Sequence, residues 1–387
     1  MNNLTIFLFF TLLLPFCFTT KKLQLYQLVT RHGDRSPLYP LPNIDTEWYC
    51  YLTQYQYPSD TFDDTIQLSR LYREKFPMNE QVLEGNCSIG QLTMQGFEQH
   101  KSVGSKLRNK LILETNFLQN TLDQSETYVR STDIRRTLLS AQGLLEGLYP
   151  TSTPQQSDNI DVVTIHTIDD QTDNMYPNSD LCPRIAQLEE EIEKSDGYQN
   201  ELKQMQDVTD ELNSIFGTTD LGGLTLTQIY STIVCYQSHG KTLPSGITES
   251  MINRLHKHHN WVLDYISGHP EYARVASVMF LKDLLESMLF KINNQNNYKF
   301  QLYSGHESTL YPLIKLLGID TVTEIPYAGH LSFQLLKEYK KYFVRITFND
   351  QVLTIPKCKL QDCPFNSFYK LAMELIPNSY SQICQTI

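Results

Sequence analysis

The sequence lacks an excess of positive charge and, after residue 20, any long hydrophobic run. Its 32 Lys and Arg are outnumbered by 43 Asp and Glu, which gives a net charge of −11. Such an acidic chain argues against a nucleic-acid partner, whose phosphates require a basic face, and against an extended basic membrane patch. No stretch after residue 20 reaches the about 18 uninterrupted apolar residues typical of a membrane span. Any phosphate-binding site must therefore depend on a local cluster of cations.

Charged side chains are also absent from residues 1–20, where residues 6–18 form an apolar run with one threonine and one proline. This run is short for a membrane span and lies at the N-terminus. We therefore interpret residues 1–20 as a cleaved signal peptide, with an uncleaved signal anchor as the alternative. The expected mature chain is soluble, has no membrane span and is secreted or lysosomal.

The sequence also lacks a convincing metal-ligand pattern. Cys358 and Cys363 have no second pair of ligands nearby. His256, His258 and His259 have no adjoining carboxylate or cysteine at ligand spacing. Zinc sites need such a complete set, so we predict no metal site.

The cysteine content is typical of an exported chain with disulfides. There are eight, and Cys17 would leave with the signal peptide. In an exported chain the remaining cysteines should be mostly paired, but their odd number leaves at least one free. Cys358 and Cys363 are close enough for a local disulfide, and Cys50 and Cys87 could join the ends of an irregular segment. Asn86 begins the only glycosylation sequon after the signal peptide, and its central cysteine makes it a poor one.

The most informative stretch is residues 31–37, Arg-His-Gly-Asp-Arg-Ser-Pro. An alternating apolar run before it predicts a strand, and Gly33 and Pro37 end the extended pattern. Two arginines thus flank His32 where a strand ends, the usual place for ligands in an open α/β sheet. Guanidinium groups donate paired hydrogen bonds to phosphate. The pattern therefore indicates a histidine nucleophile aimed at a phosphoryl group, although an isolated Arg-His pair would more often be surface charge.

Two later stretches repeat a strand-to-helix junction with ionisable residues at its tip. Residues 127–133 place Arg130 before a helix, where free N–H groups and the helix dipole favour an anion. Residues 298–309 place His306 and Glu307 at the third junction. There His306 could donate to a phosphate oxygen, and Glu307 could protonate a departing alcohol. The alternatives are that Arg130 is a surface arginine beside a cap and that Glu307 only caps its helix.

The remaining patterns predict an α/β core with two interruptions. Residues 38–86, rich in tyrosine and proline, predict an irregular excursion near the mouth of the site. Residues 180–270 are mostly helical, and we assign them to a cap domain inserted in the core. The core would then comprise residues 21–179 and 271–387. Further strands are predicted at residues 161–168, 342–348 and 351–355.

Together the three junctions resemble the histidine acid phosphatase family, the branch with prostatic and lysosomal acid phosphatases. Residues 31–37 match its signature R-H-G-x-R-x-P, and residues 129–133 match its second arginine motif. Residues 90–100 match another family stretch, and the resemblance runs in order over nearly the whole mature chain. It implies a three-layer α/β/α core with a mixed, mostly parallel sheet, like that of phosphoglycerate mutases, and a mostly helical cap.

The resemblance also implies roles for individual residues. His32 would be the nucleophile, forming a phosphohistidine that water then hydrolyses, and Glu307 would be the proton donor. The substrate phosphate would be held by Arg31, Arg35, Arg130 and His306, with no metal or other cofactor. The nearby arginines would lower the pKa of His32 by like-charge repulsion, which keeps it neutral at acidic pH.

The family pattern bears on the cysteines as well. Cys182 with Cys384, and Cys358 with Cys363, occupy positions that resemble the family's disulfides. Cys235 has no partner where the family's would lie, so it is the predicted free thiol. Cys50 and Cys87 would form an additional bridge.

The main departure from the family is Glu307, because acid phosphatases usually have His-Asp at this motif. The extra methylene moves the carboxyl group by about 1.5 Å, a scale to which catalytic geometry is sensitive. A more distant branch, resembling multiple inositol polyphosphate phosphatases, uses Glu as its proton donor. We therefore expect activity to be retained with a different substrate range.

The predicted function is an exported acid phosphatase acting on small-molecule or protein phosphomonoesters. The alternative is a catalytically impaired homologue that binds a phosphate ligand, with Glu307 as the defect. A phosphomutase shares the chemistry but fits poorly with a signal peptide and the extra cysteines. The sequence leaves open the physiological ester and the choice between monomer and homodimer.

Overall fold

The computed structural model describes residues 21–50, 83–150 and 163–385. The predicted signal peptide and residues 51–82 of the predicted excursion lie outside the described residues. The described strands are β1 (Lys22–Arg31), β2 (Thr127–Ser131), β3 (Phe300–Gly305), β4 (His330–Glu338), β5 (Lys341–Phe348), β6 (Gln351–Leu353) and β7 (Asp362–Pro364). The described α-helices are α1 (Met94–Arg108), α2 (Arg135–Leu148), α3 (Arg184–Glu193), α4 (Asp196–Gln204), α5 (Gln206–Phe216), α6 (Leu226–Ser238), α7 (Glu249–Ser267), α8 (Pro270–Ile292), α9 (Glu307–Leu316), α10 (Phe365–Leu375) and α11 (Tyr380–Ile383).

The strands form one mixed sheet in the order β2-β3-β1-β4-β5-β6, with β7 paired to β5. β2 and β1 lie on either side of β3 and run parallel to it, so that Val129 and Leu28 both lie opposite Leu302. β4 to β7 are added by antiparallel pairing. The mixed α/β sheet is confirmed, but it is less parallel than expected. The short link between β4 and β5 allows only an antiparallel hairpin, since parallel neighbours need a long crossover.

Side chains of β1 alternate between two layers of helices. Tyr26 and Leu28 belong to a hydrophobic cluster with residues of α1 and α2. Leu25 and Val29 belong to a second cluster with residues of α8, α9 and α10. Because successive side chains of a strand point to opposite faces, the sheet is buried on both sides. The three-layer α/β/α core is therefore confirmed.

Helices α3 to α7 occupy the range in which a helical block is predicted. Residues of α5, α6 and α7 form a hydrophobic cluster of their own, which also contains Leu41, Trp48 and Cys50. The described part of the excursion therefore packs on these helices, next to the loop that follows β1. The division into an inserted cap and a core remains a prediction.

Several elements are missing from the sequence-based predictions, β4 and α8 among them, and one predicted strand is wrong in its described part. β4 alternates Leu331, Phe333 and Leu335 with polar residues, a pattern that could have revealed it. α8 carries buried residues on most of its surface, so it has no one-sided periodicity to detect. Of the strand predicted at 161–168, residues 163–168 keep a single bridge, between His166 and Arg130.

The predicted disulfides are confirmed. Cys50–Cys87, Cys182–Cys384 and Cys358–Cys363 are bonded, with Cα–Cα distances of 4.7 to 5.7 Å. Cys235 is buried and free, as expected from its missing partner. Among the described helices, none combines the length and apolar character needed to cross a membrane.

Candidate active site

Three strand ends meet at one edge of the sheet. In the parallel register, Arg31 of β1 lies opposite Gly305 of β3, and Ser131 of β2 lies opposite Ser304. The carboxyl ends of β2, β3 and β1 are therefore neighbours, where open α/β sheets bind their ligands. The three predicted junctions converge because β3 is inserted between β2 and β1.

Two glycines hold the loop after β1 against α1. A Cβ atom built on Gly33 would lie 2.2 Å from the carbonyl oxygen of Gly96, and one on Gly96 would lie 2.2 Å from that of Asp34. Neither contact is sterically allowed, so any other residue here would push the loop away from the helix. This close approach explains the glycine that follows His32.

The buried carboxylate of Asp34 fixes the same loop from the other side. It accepts hydrogen bonds of 2.5 Å from the hydroxyl groups of Thr93 and Ser238, and His239 Nε2 lies 2.7 Å away. Thr93 is the N-cap of α1, and Ser238 ends α6. The loop that carries His32 is therefore tied both to the core and to the helical block.

The imidazole of His32 is buried and oriented by its own loop. Its Nδ1 lies 2.7 Å from the carbonyl oxygen of Gly33, which can only accept. The proton of the neutral ring therefore resides on Nδ1, which leaves the lone pair on Nε2. Burial lowers the pKa of His32 well below its ordinary value, and the charges of Arg136 and Arg31 lower it further. Both effects favour the neutral form of the ring.

Arg31 and Arg35 lie on either side of His32 in the sequence and make different contacts. Arg31 Nη1 is 3.1 Å from Glu307 Oε1, and its guanidinium carbon lies 4.7 Å from the ring centre of Tyr327. Arg35 is almost fully buried and donates to Ser231 Oγ at 2.9 Å and to Cys235 Sγ at 3.7 Å. The free thiol of Cys235 is therefore a neighbour of a site arginine.

The guanidinium of Arg136, which the sequence prediction omits, belongs to the same cationic cluster. Its charge lowers the pKa of both His32 and His306, and it is the leading cause after burial in each case. Burial and the charge of Arg35 lower the pKa of Arg136 itself to about 10, so it stays cationic at acidic pH. Its Nε has no hydrogen-bond partner among the described residues. The signal for it is an arginine in the first turn of the helix that follows β2, where helix N-termini bind anions.

Arg130, predicted to bind the phosphate, has acidic and amide partners in the structure. Its guanidinium donates to Asp173 at 2.7 Å, to Asn174 at 2.7 Å and to Asp283 at 3.2 Å. Asp173 is buried, so this arginine neutralises a buried carboxylate. A guanidinium engaged in this way has little capacity for a substrate phosphate. These contacts favour Arg136 over Arg130 as the third arginine of the cluster around His32.

His306 caps the first turn of α9, where its backbone N–H donates to Thr309 Oγ1 at 3.0 Å. Its Nε2 lies 3.0 Å from Thr132 Oγ1. Thr137 Oγ1 donates to backbone carbonyl groups, so it accepts from Thr132, which in turn accepts from His306 Nε2–H. Burial and the charge of Arg136 lower the pKa of His306 well below its ordinary value. A bound phosphate would counter these charges and favour protonation at Nδ1, which would then be a second donor.

Glu307 is the first residue of α9, where its negative charge is favourable to the helix dipole. Its carboxyl group lies between Arg31, at 3.1 Å, and His259 Nε2 on α7, at 3.9 Å. The ring centroids of His32 and His306 are 5.6 Å apart. The predicted nucleophile, proton donor and phosphate-binding histidine are thus brought together, and Arg130 is not part of the group.

The chain is similar in sequence and in fold to known phosphatases. A family model described as "Histidine phosphatase superfamily (branch 2)" matches residues 22–349. Counting factor 60 of Dictyostelium discoideum is 30% identical over 94% of this chain and 88% of its own length. Human lysosomal acid phosphatase is 29% identical over 94% of this chain and 81% of its own length. The Hafnia alvei phytase in complex with tartrate has a TM-score of 0.64 at 16% identity, covering 95% of this chain and 99% of the phytase, which is a likeness of fold.

Proposed function

This chain belongs to the histidine phosphatase superfamily (branch 2), and we propose that it is an acid phosphatase that hydrolyses phosphomonoesters through a covalent phosphohistidine on His32. The observation that carries this proposal is the hydrogen-bond distance of 2.7 Å between His32 Nδ1 and the carbonyl group of Gly33. It leaves Nε2 as an unprotonated nucleophile in the middle of a cluster of cations.

The first chemical step is the attack of His32 Nε2 on the phosphorus atom. The N–P bond forms as the ester P–O bond breaks, and its electron pair stays on the leaving oxygen. Glu307 donates a proton to that oxygen, so that an alcohol departs rather than an alkoxide. In the second step the Glu307 carboxylate takes a proton from water, which attacks the phosphohistidine and releases inorganic phosphate.

The phosphate group is held by Arg31, Arg35, Arg136 and His306, with Arg136 in the role that the sequence pattern gives to Arg130. Three fixed guanidinium groups supply preorganised donors for the charge that spreads over the phosphoryl oxygens. Arg136 pairs with no carboxylate among the described residues. The negative charge of the substrate phosphate therefore relieves the repulsion among the three guanidinium groups. The same charges lower the pKa of His32, so one cluster both binds the phosphate and keeps the nucleophile neutral at acidic pH.

A secretory compartment, secreted or lysosomal, is part of the proposal. The three disulfides support it, since such bonds persist in oxidising compartments and are rare in the cytosol. The human relative is named a lysosomal acid phosphatase. Redox-sensitive unfolding of the purified chain would agree with this placement.

Replacing His32 with alanine tests the mechanism. We expect this variant to lose hydrolysis of p-nitrophenyl phosphate at mildly acidic pH by at least about 10⁴-fold, because the nucleophile is lost. Rapid alkaline quench of the unmodified enzyme with radiolabelled substrate should trap an alkali-stable, acid-labile phosphoprotein that the variant does not form. Full activity of the variant would end the proposal. If the unmodified chain bound phosphomonoesters but released no inorganic phosphate from them, the impaired binder would be supported instead.

A further inference from the structure

The side chain of His259 on α7 lies beside the carboxyl group of Glu307. His259 Nε2 is 3.9 Å from Glu307 Oε2, whereas Oε1 accepts from Arg31 Nη1 at 3.1 Å. The two oxygens therefore have different neighbours. Oε1 faces the arginine that lies next to the nucleophile, and Oε2 faces a helix of the block between residues 180 and 270.

The surroundings of His259 favour a neutral ring with its proton on Nε2. Burial lowers the pKa of His259, and the charge of Glu307 acts in the opposite direction. Its Nδ1 has no hydrogen-bond partner among the described residues. An imidazole keeps its proton on the nitrogen that has an acceptor, and here the carboxylate faces Nε2.

The other groups around His259 do not compete for this hydrogen bond. The Tyr230 ring of α6 packs against the imidazole, with centroids 5.1 Å apart. His256, on the preceding turn of α7, lies 3.4 Å from Glu324, and its ring stacks on that of Tyr230 with centroids 5.5 Å apart. Glu307 is thus the only carboxylate within 4 Å of His259 in the described part of the chain.

We propose that His259 is a positioning residue that donates from Nε2 to Glu307 Oε2 during turnover and so directs Oε1 toward the leaving oxygen. The proposal rests on the role of Glu307 as proton donor stated above. Before substrate binds, Arg31 holds Oε1. When Arg31 donates to the phosphate instead, the carboxyl group loses that partner, and a small side-chain rotation brings Oε2 within hydrogen-bond distance of His259.

This arrangement would make use of the length of Glu307, which is one methylene longer than the aspartate usual at this position in the family that the chain resembles. The added methylene gives the carboxyl group another rotatable bond and therefore more orientations. A second anchor from α7 removes that freedom, because one oxygen is bound and the other is left to transfer the proton. Transfer is sensitive to displacements of about 1 Å, so the anchor should matter most when the leaving group needs its proton.

The test compares His259→Leu and His259→Gln on two substrates, glycerol 2-phosphate and p-nitrophenyl phosphate. The alkyl leaving group needs protonation, whereas the aryl leaving group is stable as an anion. We expect His259→Leu to lower kcat for the alkyl ester by roughly 10-fold or more and kcat for the aryl ester by less than about 3-fold, with KM little changed. The glutamine amide can still donate to Oε2, so His259→Gln should recover most of the alkyl activity.

His256→Gln is the matched control, since His256 lies on the same helix and contacts Glu324 instead of Glu307. It should leave the ratio of alkyl to aryl turnover unchanged. A structural role for His259 would lower both activities together, and that outcome, or an unchanged ratio in His259→Leu, would overturn the proposal.

A Glu307→Ala background separates this proposal from the proposed function. If Glu307→Ala selectively harms the alkyl ester and His259→Leu adds no further selective loss in that background, the two residues act as one unit, as we infer. If Glu307→Ala is selective but His259→Leu alone is not, the positioning role fails while the proton donor stands. If Glu307→Ala lowers both substrates equally, the proton-donor assignment itself fails.

Discussion

Removing the positive charge of Arg136 or of Arg130, one at a time, should separate the contribution of each arginine to phosphate binding from its contribution to stability. The variants are Arg136→Met and Arg130→Met, which keep an unbranched apolar stem and remove the positive charge. The two arginines lie six residues apart at the same strand-to-helix junction, so each serves as the control for the other. Their different neighbours predict opposite phenotypes.

Arg136→Met should lose activity and retain stability. It removes a donor from the cluster around His32, and loss of one preorganised donor typically costs about 10²–10³-fold, or roughly 3–4 kcal/mol of transition-state stabilisation. Inhibition by inorganic phosphate should weaken as well. The folded state loses only a cation that Arg35 already repels, so the Tm should stay close to that of the unmodified chain.

The same variant should move the acidic limb of the pH profile. The charge of Arg136 lowers the pKa of His32, so removing it raises that pKa. Because His32 must be neutral to attack, the acidic limb of kcat/KM should shift to higher pH. A shift to lower pH would contradict the electrostatic argument.

Arg130→Met should instead lose stability. It leaves the buried carboxylate of Asp173 without its guanidinium, and breaking a buried pair from one side costs about 3–5 kcal/mol. Differential scanning calorimetry should therefore show a clear decrease of Tm. Assayed well below that Tm, the variant should keep phosphate inhibition and most of its kcat/KM. If it lost phosphate affinity while Arg136→Met remained active, the reassignment from Arg130 to Arg136 would be wrong.

Two further predictions concern the proton donor and the disulfides. Glu307→Ala should lower turnover of glycerol 2-phosphate much more than that of p-nitrophenyl phosphate, because the aryl leaving group needs less protonation; equal losses would refute the general-acid role. Replacing Cys182 and Cys384 together with serine opens a loop closed over 202 residues, and should cost about 5 kcal/mol of unfolding free energy, measurable by urea titration. An unchanged midpoint would show that this link does not constrain the unfolded chain.

Local sequence patterns sufficed for much of the fold and for the nucleophile. The conformation of the loop after β1 is determined locally. Gly33 allows close packing on α1, and its carbonyl group orients the imidazole of His32. The two parallel junctions at β2 and β3 were visible as β-prone runs ending in capping residues. The cysteine pairs were also correct, in part because the resemblance to a family restricted the choice.

The α8 helix and the strand predicted at 161–168 show where local patterns are insufficient. α8 is buried on most of its surface, so no one-sided apolar stripe distinguishes it. The strand predicted at 161–168 has the right composition, yet its described residues form only one bridge to β2. Strand pairing depends on distant partners more than on intrinsic preference.

The sequence by itself determined that a histidine follows a strand end between two arginines, and that a His-Glu pair follows another. Only the tertiary structure decided which guanidinium groups meet these residues. Arg130 and Arg136 carry the same side chain at the same strand-to-helix junction, so the local pattern does not choose between them. The carboxylates that neutralise Arg130 come from positions 43 and 153 residues away, and His259 reaches Glu307 from another helix. Whether an arginine or histidine contributes to binding or to stability depends on such long-range contacts, which form only when the chain folds.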